Sequence, residues 1–144
     1  MEKGYFASAR RRLKRKLLQE RRAFFQGRGY LPICDYCGKP MTGGVEMHEA
    51  LLKRSDVQGN REHLLNEIMV EQNCVNLHPK CHLMADTKEG QEIIVRALIQ
   101  HCGYESIKEW LEHMISIMKS RVPEDALRLL EVIQNGNRSE VQSL

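Results

Sequence analysis

The sequence contains no run of about 18 consecutive apolar residues, so no segment of it is expected to span a membrane. Its N-terminal region is basic but has neither the apolar stretch nor the small-residue cleavage site of a secretory signal. We therefore expect a cytoplasmic protein, whose five cysteines are metal ligands or free thiols rather than disulfides. Internal repeats and low-complexity segments are also absent from the sequence. The 144 residues, 42% hydrophobic and 28% charged, predict one globular domain with a modest core.

Positive charge is concentrated at the N-terminus. Residues 1–22 hold nine Lys or Arg against two Glu, whereas residues 23–144 hold thirteen against seventeen acidic residues, so the balances are +7 and −4. The segment 7–26 lacks Gly and Pro and is expected to form a helix. Six cations in seven positions predict contact with DNA phosphates, the alternative being a solvated helix face. These cations are Arg10, Arg11, Arg12, Lys14, Arg15 and Lys16.

Hydrophobic periodicity predicts an α+β fold that is mostly helical. Apolar residues recur at helical spacing over 88–102, over roughly 104–119 and from Pro123 onward, with Gly103 as a stop. Short strands are predicted at 45–52 and 76–77, and a helix is expected from Cys81. The predicted organisation is a basic helical arm (1–30), a core with a zinc knuckle (31–90), C-terminal helices packed on that core (91–134) and a flexible tail (135–144).

Two ligand pairs with equal spacers, Cys34-x-x-Cys37 and His78-x-x-Cys81, carry the clearest chemical signal. A two-residue spacer lets both side chains of a pair reach one ion, and four such ligands form a closed tetrahedral site for structural Zn²⁺. Gly38 supplies the tight turn that often follows such a pair. Cys74 is the alternative to His78 as third ligand; otherwise Cys74 and Cys102 are expected to be buried free thiols.

Between the two pairs lie residues suited to phosphodiester hydrolysis, which requires a water, a base and a cation. The candidates are Glu46, His48, Glu49, His63, Asn73, Asn76, His82 and Asp86. The order Cys-x-x-Cys, His48, Asn73, His78-x-x-Cys81-His82 resembles the HNH endonucleases, also called ββα-metal or His-Me finger nucleases. The resemblance covers roughly residues 31–90 and is strongest to small phage-encoded HNH proteins with a zinc knuckle.

The resemblance implies a role for each matching residue. Asn73 would hold the catalytic loop by hydrogen bonds to its backbone, and His82 would bind a catalytic divalent metal, Mg²⁺ or Mn²⁺, with Ni²⁺, Co²⁺ or Zn²⁺ also admissible. Relatives usually place a metal ligand directly before the general base. Here either His48 is the base, Met47 stands at the ligand position and Glu49 or Glu46 helps to bind the metal, or His48 binds metal and Glu49 stands at the base position. Both assignments stay open, and Asp86 is a further candidate ligand.

The function implied by this resemblance is a metal-dependent DNA endonuclease, nicking as a monomer and able to cut both strands as a homodimer. By the same resemblance it would be encoded by a bacteriophage, act in the host cytoplasm and accompany the DNA-packaging (terminase) machinery. The alternative is a zinc-knuckle nucleic-acid-binding protein without catalysis, in which His48 and His82 are structural. The zinc pairs and the basic arm fit both hypotheses, whereas Asn73, His48, Glu49 and His82 favour catalysis.

Overall fold

The computed structural model describes residues 15–16, 19–20, 33–41, 45–57 and 63–136. Two short strands, β1 (Glu46–Glu49) and β2 (Cys74–Leu77), are separated by a 3-10 turn (Arg54–Val57) and by helix α1 (Leu65–Ile68). Helix α2 (Pro79–His82) follows β2 directly. Three longer helices complete the fold: α3 (Lys88–Cys102), α4 (Tyr104–Ile117) and α5 (Val122–Asn135).

The sheet is a two-stranded antiparallel ribbon with Met47 opposite Asn76 and His48 opposite Val75. Because successive side chains of a strand alternate between its faces, Glu46 and His48 share one face and Met47 lies on the other. Met47 is 7% exposed and belongs to the hydrophobic core. Burial of the thioether on the opposite face keeps Met47 from binding a metal together with His48.

The three long helices form one hydrophobic core with the sheet. Helix α4 packs on α5, and α3 packs on both of them and on β2. The largest fully buried side chains of these helices are Ile94, Leu98, Ile107, Leu111, Met114, Leu130 and Ile133. Trp110, the single tryptophan of the sequence, links α4 to α1, because its indole Nε1–H donates to the Glu67 carbonyl over 2.8 Å.

The mostly helical α+β class is confirmed, and the helix predicted over 88–102 has those bounds. Helix α4 ends at Ile117 and α5 begins at Val122, one residue before Pro123. The first strand is shorter than the predicted 45–52, because the chain turns at Ala50, whereas the second begins earlier, at Cys74. Helix α3 runs across the boundary predicted between the core (31–90) and the C-terminal helices (91–134). No helix in the described ranges is long and apolar enough to cross a membrane.

Arg15 and Lys16 are helical and exposed, and the Lys16 Nζ lies 3.9 Å from Glu20 Oε1. Apart from residues 19–20, which are also helical, the rest of the predicted basic helix over 7–26, including Arg10, Arg11, Arg12 and Lys14, lies outside the described residues. The same holds for the tail from residue 137 onward.

Candidate functional site

The four predicted zinc ligands converge on one point. The ligand atoms of Cys34, Cys37, His78 and Cys81 all lie within 4.8 Å of one another. His78 Nδ1 is 3.3 Å from the Cys37 sulfur and 3.8 Å from the Cys81 sulfur. Ligand atoms at such separations can share one tetrahedral ion, so this Cys3His group can hold a structural metal ion such as zinc.

The local backbone explains why these residues meet. Gly38 adopts a φ of +74°, which favours glycine, and its N–H donates to the Cys34 carbonyl over 2.9 Å to close the knuckle. Pro79 restricts the preceding residue to extended backbone, and His78 accordingly has a ψ of 149° before Pro79 starts α2. The proline that follows His78 is therefore compatible with ligation. Cys74 is not part of the group, because its sulfur lies in β2, 3.9 Å from the Ile68 carbonyl.

Neighbouring groups form hydrogen bonds to the ligand residues, and burial affects the ionisation of the thiols. A carbonyl only accepts, so His78 Nε2–H donates to the Pro40 carbonyl over 3.3 Å and leaves the Nδ1 lone pair for the metal. The backbone N–H groups of Tyr36 and His78 donate to the Cys34 sulfur over 3.4 and 3.5 Å. Burial, followed by the neighbouring thiols, raises the pKa of Cys81 to about 12. Three close thiols resist joint ionisation without a positive ion between them.

Asp35, inside the first ligand pair, connects the knuckle to the rest of the fold. Its Oδ2 accepts from the Asn76 N–H over 2.9 Å, and its own N–H donates to the Asn76 carbonyl over 2.9 Å. Its Oδ1 lies 2.7 Å from His101 Nε2 on α3. Sequence reasoning missed this role, because His101 is 66 residues away and no local pattern links the two.

Asn73 is completely buried and forms four hydrogen bonds to backbone. Its Oδ1 accepts from the N–H groups of Leu51 and Leu52 over 2.8 and 2.9 Å. Its Nδ2 donates to the carbonyls of Leu52 and Ile68 over 2.7 and 2.9 Å. One amide thus satisfies both donors and acceptors of the segment that follows β1, and it links that segment to the end of α1.

His48 and His82 come together although 34 residues separate them. His48 Nδ1 lies 3.1 Å from His82 Nε2, and the two rings meet edge-on with centroids 5.0 Å apart. The other nitrogen of His82, Nδ1, contacts Glu46 Oε2. Since a carboxylate only accepts, His82 Nδ1 carries a hydrogen and donates it to Glu46, while its Nε2 faces His48. Burial, and secondly the nearby His82, lowers the pKa of His48, which favours its neutral form.

These imidazoles line a cleft of about 370 Å³. Its walls are formed by His48, Glu49, Lys53, Arg54, Ser55, His82 and Asp86. The cations on its rim are already paired: Lys53 Nζ lies 3.1 Å from Asp86 Oδ1, and Arg54 Nε lies 2.8 Å from Glu49 Oε1. The contact with Lys53 holds the pKa of Asp86 below its usual value. Neither pairing was predicted from the sequence.

Other candidate residues lie elsewhere. His63 is exposed, and Asn76 is buried in β2 beside the knuckle rather than on the cleft wall. Cys102 is only partly buried, contrary to the prediction, with its sulfur 3.4 Å from the Glu71 carbonyl. A larger cleft of about 690 Å³ lies between the knuckle and α3, but it lacks both imidazoles of the His48–His82 pair.

Comparisons of the chain with models of protein families, with curated proteins and with solved structures gave no match.

Proposed function

We propose that this protein is a metal-dependent endonuclease of the HNH type that hydrolyses phosphodiester bonds in DNA. The observation that carries the proposal is the pair formed by His48 Nδ1 and His82 Nε2, 3.1 Å apart at the wall of a polar cleft. Two nitrogens that bind one metal ion at about 2.1 Å lie roughly 3.0 to 3.4 Å from each other. The pair has this separation.

The surroundings of the pair fit a divalent cation. Glu46 orients His82 from its far nitrogen, as carboxylates do for metal-binding histidines. Glu49 and Asp86 contribute two further carboxylates to the cleft wall. A divalent ion bound there, Mg²⁺ or Mn²⁺ or another first-row metal, would stabilise the charge on the scissile phosphate and on the leaving 3′ oxygen.

The geometry favours the assignment in which His48 binds metal and Glu49 stands at the base position. The Nδ1 of His48 faces His82, and Met47 packs into the core on the opposite face of β1. Glu49 is the last residue of β1 and by alternation starts on the face of Met47, but its carboxylate lies against Arg54 and lines the cleft. In this assignment a Glu49 carboxylate oxygen takes the proton of the attacking water, while Arg54 keeps the carboxylate in place.

Exposed cations of the cleft and of the basic N-terminal segment are suited to DNA phosphates. Lys53 and Arg54 are about half exposed, and the backbone that carries them is set by Asp56, whose Oδ2 accepts from the Lys53 N–H over 2.7 Å. The exposed Arg15 and Lys16 belong to the basic segment 1–22. Deletion of that segment should reduce the dependence of DNA affinity on salt, because fewer counterions are released on binding.

One observation favours the alternative of a zinc-knuckle binding protein without catalysis. Asp86 and Glu49, two carboxylates that a metal centre would use, each contact a cation of the chain. In that case the Lys53–Asp86 and Arg54–Glu49 contacts would persist in the functional protein. His48 and His82 would then serve only the packing of α2 against β1.

A plasmid assay separates the two functions. Purified protein is incubated with supercoiled DNA in EDTA, or with Mg²⁺, Mn²⁺ or Ni²⁺, beside His48→Ala and His82→Ala at equal zinc content. The control is His113→Ala, an exposed histidine on α4 that contacts Glu67 and lies off the cleft. Metal-dependent nicking that both cleft variants lose and the control keeps supports the nuclease. Retained zinc and DNA binding without cleavage in any metal supports the binding protein.

A second pair of variants tests the assignment of the base. Glu49→Gln should abolish cleavage while Mn²⁺ binding, measured by electron paramagnetic resonance, persists. His48→Ala should lose both. Loss of cleavage with intact Mn²⁺ binding in His48→Ala would instead assign the base to His48.

An open-circular product would indicate one cut per visit by a monomer, and a linear product would indicate a homodimer. Association with a phage packaging (terminase) machinery is proposed from the sequence resemblance alone.

A further inference from the structure

The turn between α2 and α3 exposes two large apolar side chains side by side. Leu83 is 83% exposed and Met84 is 44% exposed. In the described part of the chain, Ile93 at 39% is the remaining large hydrophobic residue with such exposure. Isolated exposed apolar residues are common on protein surfaces, so exposure alone would carry no conclusion. The backbone beneath these two residues and their position relative to the cleft give further information.

The backbone of this turn is held on both sides. The Met84 N–H donates to the Cys81 carbonyl over 3.0 Å, and the Thr87 hydroxyl donates to the Met84 carbonyl over 2.8 Å. A side chain at Gly90 would place its Cβ 2.0 Å from the Met84 carbonyl oxygen, so only glycine permits this approach. Ala85 is 2% exposed and anchors the turn in the core. The turn therefore presents Leu83 and Met84 from a fixed backbone rather than from a loosely held loop.

The apolar pair stands in the sequence between two residues of the cleft wall. Leu83 directly follows His82, Met84 precedes Asp86 by two residues, and both His82 and Asp86 line the cleft wall. Lys80, three residues before Leu83, is exposed. Lys53, on the same cleft wall, is 54% exposed. Exposed apolar side chains next to residues of the cleft wall, together with exposed lysines, suit duplex DNA, which offers apolar base faces inside and phosphates outside.

We propose that Leu83, assisted by Met84, is a wedge that enters the minor groove beside the cleft and partly unstacks one base step. This proposal rests on the proposed nuclease function and names the form of DNA that the site engages. Leucine and methionine are among the residues that proteins insert between base steps, which kinks the duplex and brings more of it against the protein. Steps of the TA and CA/TG type deform most easily, so they should be preferred next to the site of cutting.

The test measures unstacking directly on the full-length, zinc-loaded protein. A set of short duplexes, each with 2-aminopurine at a different step, is bound without added divalent ion, and the fluorescence rise is recorded. The wild type should produce a rise at one step. Leu83→Ala should reduce that rise at least threefold, Leu83→Met should restore most of it, and Ile93→Ala should behave as the wild type. The salt dependence of binding should be the same in all four proteins, because none of the changes removes a phosphate contact.

The outcomes separate this proposal from the proposed function. If DNA is bound and cut but none of the proteins changes the fluorescence, the wedge is refuted. It is also refuted if Leu83→Ala changes the fluorescence as much as the wild type does. Neither result contradicts the proposed nuclease function. A protein that neither binds nor cuts DNA overturns both. If Leu83→Ala converts a dimer to a monomer in sedimentation and leaves unstacking unchanged, the apolar pair is an interface between two copies, and the wedge is refuted.

Discussion

Replacement of Asn73 by alanine is expected to destabilise the protein severely, although the change removes only a carboxamide. The side chain is completely buried, and its four hydrogen bonds to backbone have lengths of 2.7 to 2.9 Å. Alanine would leave two N–H groups and two carbonyls of buried backbone without these partners. At about 1 kcal/mol for each bond, the expected loss in the free energy of unfolding is about 4 kcal/mol. That is a large part of the total stability of roughly 5 to 15 kcal/mol that is usual for a domain.

Asn73→Asp distinguishes hydrogen bonding from shape. The carboxylate has nearly the same volume and can still accept from the N–H groups of Leu51 and Leu52. It cannot donate to the carbonyls of Leu52 and Ile68, and it would bury a charge against them. Asn73→Asp should therefore be at least as destabilising as Asn73→Ala.

Urea unfolding followed by the fluorescence of Trp110 measures both losses. Trp110 is the single tryptophan and is 8% exposed, so unfolding changes its environment. Asn66→Ala is the matched control, because Asn66 is an exposed residue of α1, and it should change the free energy of unfolding by no more than about 0.5 kcal/mol. A loss below about 1 kcal/mol in Asn73→Ala would refute the view that this amide holds the segment after β1.

Three further changes test the knuckle, the imidazole pair and the turn. Cys37→Ser should lower the bound zinc from one ion per chain, as measured by mass spectrometry of the metal, because a serine hydroxyl is a poor zinc ligand. In the zinc-loaded protein, nuclear magnetic resonance should find the pKa of His48 below 6.5, and His82→Ala should raise it, because it removes a neighbouring ring that opposes protonation. Gly90→Ala should lower the free energy of unfolding by about 3 kcal/mol in urea, because the new methyl group collides with the Met84 carbonyl.

Each of these has its own control and contrary result. Cys102→Ser should keep the zinc, and equal zinc in Cys37→Ser would argue against the knuckle. Since the unfolded chain protonates His48 near pH 6.5 and the folded chain resists protonation, this residue should make the protein less stable as the pH falls below about 6.5. A His48 pKa at or above 6.5 would contradict that. Gly103→Ala is the comparison: its new methyl group meets no atom within 4 Å, but the φ of +87° with a ψ of 143° is a backbone conformation that alanine rarely adopts, so backbone strain alone should cost about 1 to 3 kcal/mol.

Local patterns were sufficient for the long helices and for the four residues that can hold a structural metal ion. The bounds of α3 agree with the prediction because Thr87 caps its start through the Gly90 N–H and Gly103 ends it, and both signals are local in sequence. The knuckle was predictable because a two-residue spacer fixes the distance between two ligands of one ion. The strands were predicted less well, because the length of a short strand depends on its partner and on where the chain leaves the sheet.

The sequence by itself determined the α+β class, the three C-terminal helices and the four residues that can hold a structural metal ion. Only the tertiary structure decided that His48 faces His82, that Met47 packs into the core, and that Lys53 and Arg54 contact Asp86 and Glu49. The physical reason is the range of the interactions. Helix periodicity, caps and ligand spacers act within a few residues, whereas the cleft joins side chains more than 30 residues apart, and their approach depends on how β1, β2 and α2 pack together.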